Sequence, residues 1–284
     1  MSALSPPDFI DVHYHVNPDA YVRRHSAIQA GSVYARHNGW VILKNHLGCT
    51  AAQAWEAREQ GFPVFGSVVL NEIAGGINYR VVEHSLCRNG DNELRFIVHM
   101  PTVTGRSHRS SLKREISNPI LTGNPIKPLT VSNNTEKLTA ATLDIFRMAR
   151  DFPLVISTGH ANKEEVRLLI DAAVKFDVRL MLNQPANPLT GLTAGELLEI
   201  SQAPNIYVEQ TSLTYLLGYQ DRDDYYKVLE KVPRAIYSSD LGQTSQPDIE
   251  KWRGLSEKWF SECNLSPQRI HALQCGNPGE MLAL

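Results

Sequence analysis

Two histidines separated by one residue, His13 and His15, close a short apolar run near the N-terminus. Because side chains alternate between the two faces of a strand, both imidazoles are predicted to point the same way, about 6–7 Å apart along the chain. Histidine is the commonest metal ligand among side chains, so the pair predicts part of a metal site. The alternative is a polar strand end with one surface histidine and one hydrogen-bonded histidine.

Other chemically useful side chains also stand where apolar runs end. They are Lys44, His46, Asn71, His99, His160, Asn183, Gln184, Glu209 and Asp240. In a barrel of parallel strands the chemistry lies at the carboxyl ends of the strands, so these residues are predicted to surround one pocket. Three histidines and an aspartate, His13, His15, His160 and Asp240, would hold a catalytic metal with room for water or substrate.

Eight apolar runs of strand length alternate with helical segments. As strands, they would bring the residues at their ends to one side of the fold. The runs are 8–15, 40–46, 62–71, 94–101, 153–157, 179–185, 206–210 and 235–240. Regular alternation predicts an α/β fold with a parallel sheet. Eight units in 284 residues fit a (β/α)8 TIM barrel, for which about 250 residues is typical. An open doubly wound sheet is the alternative, but the first strand has no Gly-x-Gly-x-x-Gly phosphate loop after it.

Residues 102–134, after the fourth strand, interrupt this pattern and are rich in Ser, Thr, Asn, Pro and Gly. A long loop inside a compact domain is typical of a lid or a binding loop, so we expect one barrel domain, 1–284, with this insertion. Its residues Arg106, Arg109 and Arg114 are candidates for clamping a substrate carboxylate, because guanidinium matches that geometry. Solvated surface charge is the alternative.

Composition excludes several classes of protein. A hydrophobic content of 42%, a charged content of 20% and a net charge of −2 are typical of a globular protein without the basic footprint of a nucleic-acid or membrane binder. The four cysteines form no Cys-x-x-Cys pair, so free thiols are expected. No signal peptide and no apolar run of about 18 residues is apparent, and a cytoplasmic protein is the expectation.

The motifs resemble those of the amidohydrolase superfamily of metal-dependent hydrolases. The residues concerned are His13-Tyr14-His15, Thr158-Gly159-His160, Ser238-Ser239-Asp240 and the terminal 276–284, which is similar to the Asn-Pro-Ala-x-x-Leu-Gly-Leu close of that superfamily. Segments 41–46, 69–78, 100–102 and 240–243 resemble more narrowly a family of uncharacterised metal-dependent barrel proteins within it. The resemblance implies one or two divalent metals and hydrolysis of amide, cyclic amide, ester or lactone bonds.

Two positions depart from the superfamily pattern. Gln184 stands where a second histidine follows the sixth strand, and an amide binds divalent cations less well than imidazole does. The bridging lysine or glutamate after the fourth strand is absent, unless His99 replaces it. One ion is therefore expected, with His13, His15, His160 and Asp240 as its ligands, zinc as the first choice and manganese, iron or nickel as alternatives.

The resemblance also assigns roles in catalysis. Asp240 would act as the general base towards a metal-activated water, and His160 would polarise a carbonyl if it does not bind the metal. Lys44 ends a central strand, where an unpaired ammonium is costly, so it is predicted to face the pocket and pair with a carboxylate or the substrate; carbamylation to bridge two metals is a less favoured alternative. The candidates for substrate binding are His46, His99, Asn71, Gln184, Arg106 and Arg109.

The leading hypothesis is therefore a metal-dependent hydrolase acting on a small cyclic amide, imide or lactone. A metal-dependent lyase such as a decarboxylase is the first alternative, because the fold does not fix the reaction. A barrel that has lost its metal and acts as a binding protein is the second. A small-molecule substrate is the expected partner, nucleic acid and membrane are not, and homo-oligomerisation is left open.

Overall fold

A computed structural model describes residues 5–90, 92, 94–108 and 111–284. Its strands are β1 Phe9–His15, β2 Gly39–Lys44, β3 Val64–Phe65, β4 Ser67–Val69, β5 Phe96–His99, β6 Ser132–Asn133, β7 Lys137–Leu138, β8 Leu154–Ser157, β9 Leu180–Leu182, β10 Ile206–Thr211 and β11 Ala235–Ser238. Its helices are α1 Ala27–Arg36, α2 Ala51–Glu59, α3 Tyr79–Arg88, α4 Pro119–Gly123, α5 Ala140–Asp151, α6 Lys163–Phe176, α7 Ala194–Ile200, α8 Ser212–Leu216, α9 Arg222–Lys231, α10 Ile249–Glu262, α11 Pro267–His271 and α12 Asn277–Leu282. A 3₁₀ turn covers Glu72–Ala74 and a π turn covers Ala272–Gly276.

The long strands form two parallel sheets whose edges adjoin. One has the order β1-β2-β3 and the other the order β11-β10-β9-β8-β5-β4. Only Gly66 separates β3 from β4, so the chain passes directly from one sheet into the other. At the opposite edges, the backbone N of His15 donates to Leu241 O at 2.8 Å, and that of Asp240 donates to His13 O at 2.9 Å. The predicted mixed α/β fold with parallel strands is confirmed.

The inner faces of the strands carry an apolar layer with a polar layer above it. The apolar layer comprises Ile10, Val12, Ile42, Phe65, Ile97, Val155, Met181, Tyr207 and Ile236. Since the side-chain period of a strand is two, the residue two positions further along points to the same side, one step nearer the carboxyl end. On six strands these residues are polar and buried, namely Lys44, His99, Ser157, Asn183, Glu209 and Ser238.

The first strand reaches the polar layer through an irregularity. Its register against β2 shifts between Asp11 and Tyr14, which is what an extra residue in a β-bulge produces. Asp11 lies on the helix side, where it accepts a hydrogen bond from the hydroxyl of Tyr34 in α1. His13 and His15 nevertheless lie on the inner side. Simple alternation would have put the histidines on the side of Asp11, opposite to Ile10 and Val12, so the bulge is what turns the pair to the inner side.

The segment 102–134 contains more structure than the sequence pattern indicates. It includes α4 and leads into an antiparallel hairpin of β6 and β7. The backbone N of Val22 donates to Glu115 O, and that of Ser117 donates to Ala20 O, so the segment is tied to the loop after β1. Arg109 lies outside the described residues. Within the described part of the chain, no helix has the length and apolar character needed to cross a membrane.

After β11 the chain passes close to the end of β1, and the backbone conformation there requires a glycine, Gly242. Its φ is +112°, and an added Cβ would lie 2.0 Å from His15 O. Gly242→Ala is therefore expected to lower the free energy of unfolding by about 1–3 kcal/mol, through backbone strain and the clash with His15. Chemical denaturation of both proteins would measure the difference.

The matched control is Gly254→Ala in α10, where an added Cβ would meet no atom within 4 Å. That change should be neutral or stabilising by about 0.5–1 kcal/mol, because alanine has the higher helix propensity. Equal stability of the Gly242→Ala variant and the parent chain would contradict this account of the turn.

Candidate metal centre

Three side-chain atoms meet where β1 adjoins the segment after β11. His13 Nε2 lies 3.0 Å from Asp240 Oδ1, and His15 Nε2 lies 3.3 Å from each of them. All three residues are buried, at 0%, 4% and 5% exposure, so water cannot readily separate these atoms. The predicted histidine pair and the predicted aspartate are thus brought together as possible ligands of one ion.

Glu209, from β10, determines which nitrogen of His13 faces this triangle of atoms. Glu209 Oε1 lies 2.9 Å from His13 Nδ1. A carboxylate only accepts, so Nδ1 carries a proton, and in the neutral ring Nε2 presents a lone pair to Asp240. Ser238 Oγ at 2.8 Å and the backbone N of Gln184 at 3.0 Å hold the carboxylate of Glu209 in turn. The sequence predicted Glu209 at a strand end, but it did not predict the contact between Glu209 and His13.

Asp19 faces Nδ1 of His15, as Glu209 faces Nδ1 of His13, with 3.5 Å between Asp19 Oδ2 and His15 Nδ1. With its proton on that side, His15 also presents a lone pair to the triangle. Three buried acceptors would then face one another, which is costly unless a proton or a cation lies between them. Burial would lower the pKa of His13, but the negative charges of Asp240 and Glu209 raise the pKa to about 9. Burial would raise the pKa of Asp240, but His13 and His15 hold it well below its usual range.

The size of the triangle suits a small divalent cation. Tetrahedral ligands at the usual zinc distances of about 2.0–2.1 Å lie about 3.3 Å from one another. The three edges here measure 3.0, 3.3 and 3.3 Å. Two imidazole nitrogens and one carboxylate oxygen are also a donor set that zinc accepts. The residues therefore fit the ion and leave a position for water or substrate.

A second cluster lies behind the first and shares His15 with it. His15, Asp19 and His46 bring ligand atoms within 4.8 Å of one another. However, the guanidinium of Arg23 lies in this cluster, with Nη2 2.6 Å from Asp19 Oδ2 and 3.2 Å from His46 Nδ1. Because that group is permanently charged, it already supplies the cation that Asp19 requires. The ring of His46 stacks on His15, with 4.8 Å between the centroids.

Sequence reasoning missed Asp19 and Arg23. The sequence feature that could have indicated Asp19 is its position four residues after His15, in the loop that follows the first predicted strand. Asp19 and Arg23 are also four residues apart, but this spacing did not predict their ion pair, because the loop is not a helix.

Lys44 is buried in the polar layer, as expected for a residue facing the pocket. Its Nζ donates to Asn183 Oδ1 at 2.7 Å. Burial lowers the pKa of Lys44, while the carboxylates of Glu209 and Asp240 act in the opposite direction. The ammonium therefore lies among negative groups and faces the same pocket as the triangle.

His160 reaches the pocket but not the triangle. Its ligand atoms do not come within 4.8 Å of all three of the others, so the predicted set of four ligands is reduced to three in this geometry. Its backbone N is held by Pro101 O at 3.0 Å, and its Nε2 lies 3.2 Å from Gln184 Nε2. The amide of Gln184 thus donates to the nitrogen that a metal would need. Burial holds the pKa of His160 well below its usual range, so the ring is neutral.

Asn71, a predicted substrate contact, instead joins three loops. Its Oδ1 accepts from the backbone N of Thr102 at 2.8 Å and of Val103 at 3.0 Å, and its Nδ2 donates to His46 O at 2.9 Å. Each polar atom of the amide is therefore used, and the side chain is fully buried. This geometry corrects the expectation, because Asn71 positions the loop that carries His46.

Two further predicted substrate contacts lie outside the pocket lining. Arg106 Nη1 lies 2.8 Å from Glu165 Oε2, so its charge is paired at the start of α6. His99 is fully buried, and its Nδ1 lies 2.8 Å from Ser157 Oγ. Its Nε2 has no hydrogen-bond partner among the described residues. Both positions correct the expectation of a direct contact with substrate.

The pocket itself has a cavity volume of about 50 Å³, which is below the usual range for small-molecule sites. The predicted residues that line it are His13, His15, Lys44, His46, Arg114, His160, Gln184 and Asp240. Residues of the segment 102–134 and of α8 complete the wall. The polar strand ends and the long segment therefore line one space, and the role of the segment as a lid stays a prediction.

Comparison with known sequences assigns a family to most of the chain. The sequence model of the family described as "Family of unknown function (DUF6282)" matches residues 8–209. No curated protein sequence matches the chain.

Solved structures of similar fold are amidohydrolase-superfamily proteins. An Agrobacterium tumefaciens protein in its apo form has a TM-score of 0.58 at 10% identity, over 98% of this chain and 97% of that one. The 2,6-dihydroxybenzoate decarboxylase from Rhizobium has a TM-score of 0.53 at 9% identity, over 96% and 97%. A Pseudomonas putida protein provisionally assigned as a 2-pyrone-4,6-dicarboxylic acid hydrolase has 0.51 at 14% identity, over 96% of each chain. Such likeness shows a common fold and leaves the reaction open.

Glu209→Gln tests whether Glu209 orients His13 for metal binding. The amide keeps the shape but loses the charge and the unambiguous acceptor, so the affinity for zinc should fall by about 10–100-fold. Competition with a chromophoric chelator would measure it. Glu280→Gln is the matched control, because Glu280 accepts from Tyr207 OH at 3.0 Å and Tyr207 lies in the apolar layer below. An unchanged zinc affinity of the Glu209→Gln protein would remove Glu209 from the centre.

Proposed function

The chain belongs to the DUF6282 family, and we propose that it is a metal-dependent hydrolase that opens a small cyclic amide, imide or lactone. The observation that carries the proposal is the triangle of His13 Nε2, His15 Nε2 and Asp240 Oδ1, with edges of 3.0–3.3 Å. The fold shared with amidohydrolase-superfamily proteins supports it. The metal chemistry and the reaction are the proposed part.

We further propose that the two sheets form the wall of one closed (β/α)8 barrel and one domain. Two facts support closure. The inner apolar layer collects side chains from every parallel strand except β4, which continues β3. The hydrogen bonds of His15 and Asp240 join the free edges of the two sheets.

His13, His15 and Asp240 would hold one divalent ion, and zinc suits the donor set best. When bound, such an ion polarises a carbonyl group and lowers the pKa of a coordinated water to about 7. Glu209 accepts from His13 Nδ1 and so leaves Nε2 as the nitrogen that would bind the ion. Arg23 neutralises Asp19 in the cluster behind His15, so one ion is expected rather than two.

The other residues of the pocket have separable tasks. Asp240, whose side chain keeps 7% exposure, takes the proton from the attacking water and returns it to the leaving nitrogen or oxygen. His160 accepts from Gln184 at Nε2, which leaves Nδ1 protonated as a donor for the carbonyl oxygen. Lys44 offsets the negative charge of Glu209 and Asp240 from below. His108, Leu112 and Arg114 of the segment 102–134 cover the bound molecule.

Metal content is the first test. Protein purified without chelator should carry about one equivalent of divalent metal, and the His13→Ala/His15→Ala protein should lose it, since two of three ligands are gone. Elemental analysis measures both, and His84→Ala, which removes an exposed histidine, is the control. Wild-type protein without metal would favour the binding-protein alternative, and metal retained in the double variant would show that His13 and His15 do not hold the ion.

Asp240→Asn tests the reaction. On a panel of cyclic imides and lactones, chelation should abolish hydrolysis and zinc should restore it. The Asn variant should reduce kcat by about 10²–10⁴-fold, because the proton acceptor is lost. Product analysis by mass spectrometry should find the ring-opened acid. Released CO₂ instead would favour a lyase, and full activity of the Asn variant would refute Asp240 as the base.

A further inference from the structure

The walls of the pocket are cationic beyond the metal centre. Among its described lining residues, Asp240 is the one carboxylate, and it already faces His13 and His15. Three basic side chains also line the pocket, namely Arg23, Lys44 and Arg114. A pocket lined mainly by one sign of charge selects ligands of the other sign.

Two of these three cations are already committed. Arg23 pairs with Asp19 at 2.6 Å, and Lys44 donates to Asn183 at 2.7 Å beside two carboxylates. Arg114 differs from them, and it also differs from Arg106, which pairs with Glu165. No carboxylate of the described residues pairs with Arg114. Its guanidinium lies over the ring of Tyr21, 5.2 Å from the centroid, and such stacking leaves the N–H edge available for a planar anion.

A second polar group beside Arg114 also lacks a partner. His108 Nε2 is buried and has no hydrogen-bond partner among the described residues. The charge of Arg114 acts on the ring of His108, so the two groups are neighbours in the wall. The ring of His108 packs edge-on against Tyr219 at 5.0 Å. A buried polar atom without a hydrogen-bond partner is costly unless a ligand supplies one.

Part of the remaining wall is apolar, beside the polar side chains of Asn187, Thr214 and Gln243. Leu112, Leu213 and Leu217 line it. These side chains suit a ring or a short hydrocarbon body, because apolar surface buried against them is removed from water. A molecule in this pocket would therefore contact cations, apolar side chains and the triangle.

We propose that the substrate carries a carboxylate bound by Arg114 and hydrogen-bonded to His108 Nε2, with an apolar or aromatic body against Leu213 and Leu217. The identity of the bond that is cleaved rests on the proposed hydrolase function, but the binding of the anion does not. One unpaired guanidinium and one neutral imidazole balance a single negative charge. A monoanionic carboxylate thus fits better than a phosphate dianion.

Calorimetric titration of metal-free protein with benzoate and benzamide tests this directly. Wild-type protein should bind benzoate about 10-fold more tightly than benzamide, since one charge-assisted hydrogen bond contributes that much. Arg114→Gln should remove most of the preference, and Arg114→Lys should keep part of it. Lys113→Gln, which changes an exposed neighbour on the same segment, should keep it fully. Thermal melting would verify that all variants fold.

Three results would overturn the proposal: no preference for benzoate in the wild type, including no binding of either probe; a preference that survives Arg114→Gln; or Arg114-dependent binding of phenylphosphonate that exceeds that of benzoate. The test is independent of the metal. A protein that binds no metal yet shows the Arg114-dependent preference would lose the hydrolase proposal and keep this one. A metal-loaded hydrolase without the preference would do the reverse.

Discussion

Three buried acceptor atoms within 3.0–3.3 Å of one another are the constraint on which the rest of the site depends. Two imidazole nitrogens and a carboxylate oxygen cannot satisfy one another, so the arrangement is stable only with a positive charge among them. Glu209 maintains it by holding the proton of His13 on the far nitrogen. Without a metal, a second proton on His13, whose pKa is raised to about 9, supplies that charge, and Nε2 then donates to Asp240.

The sheet provides the rigidity that this constraint requires. An apolar layer closes the space below, and the polar residues stand two positions further along the same strands. Lys44, Asn183 and Glu209 are therefore fixed by strands that are buried on both faces. Burying so many polar groups costs free energy unless each finds a partner. The pairing of Lys44 with Asn183 and of Glu209 with His13 and Ser238 meets that requirement.

The sequence was informative where chemistry and periodicity coincide. The parallel α/β fold, the pocket at the strand ends and the meeting of His13, His15 and Asp240 follow from residue types at the ends of apolar runs. The bulge in β1 could not be predicted, because register depends on pairing with β2 and leaves no mark on composition. Asn71 and Arg106 were misplaced for a related reason. Residue type shows that a side chain can bind a ligand, but only the fold shows that it already has a partner.

His15 connects the two clusters and makes Arg23 decisive for the number of ions. Its Nε2 belongs to the triangle, while its Nδ1 points towards Asp19. A cation at Asp19 is needed in either case, since this carboxylate is fully buried. A guanidinium supplies it without drawing a lone pair from His15, whereas a second metal would compete for the same imidazole. The sequence predicted a single ion from Gln184 in place of a histidine; the proposal of one ion rests at least as much on Arg23, a residue whose type alone suggested no such role.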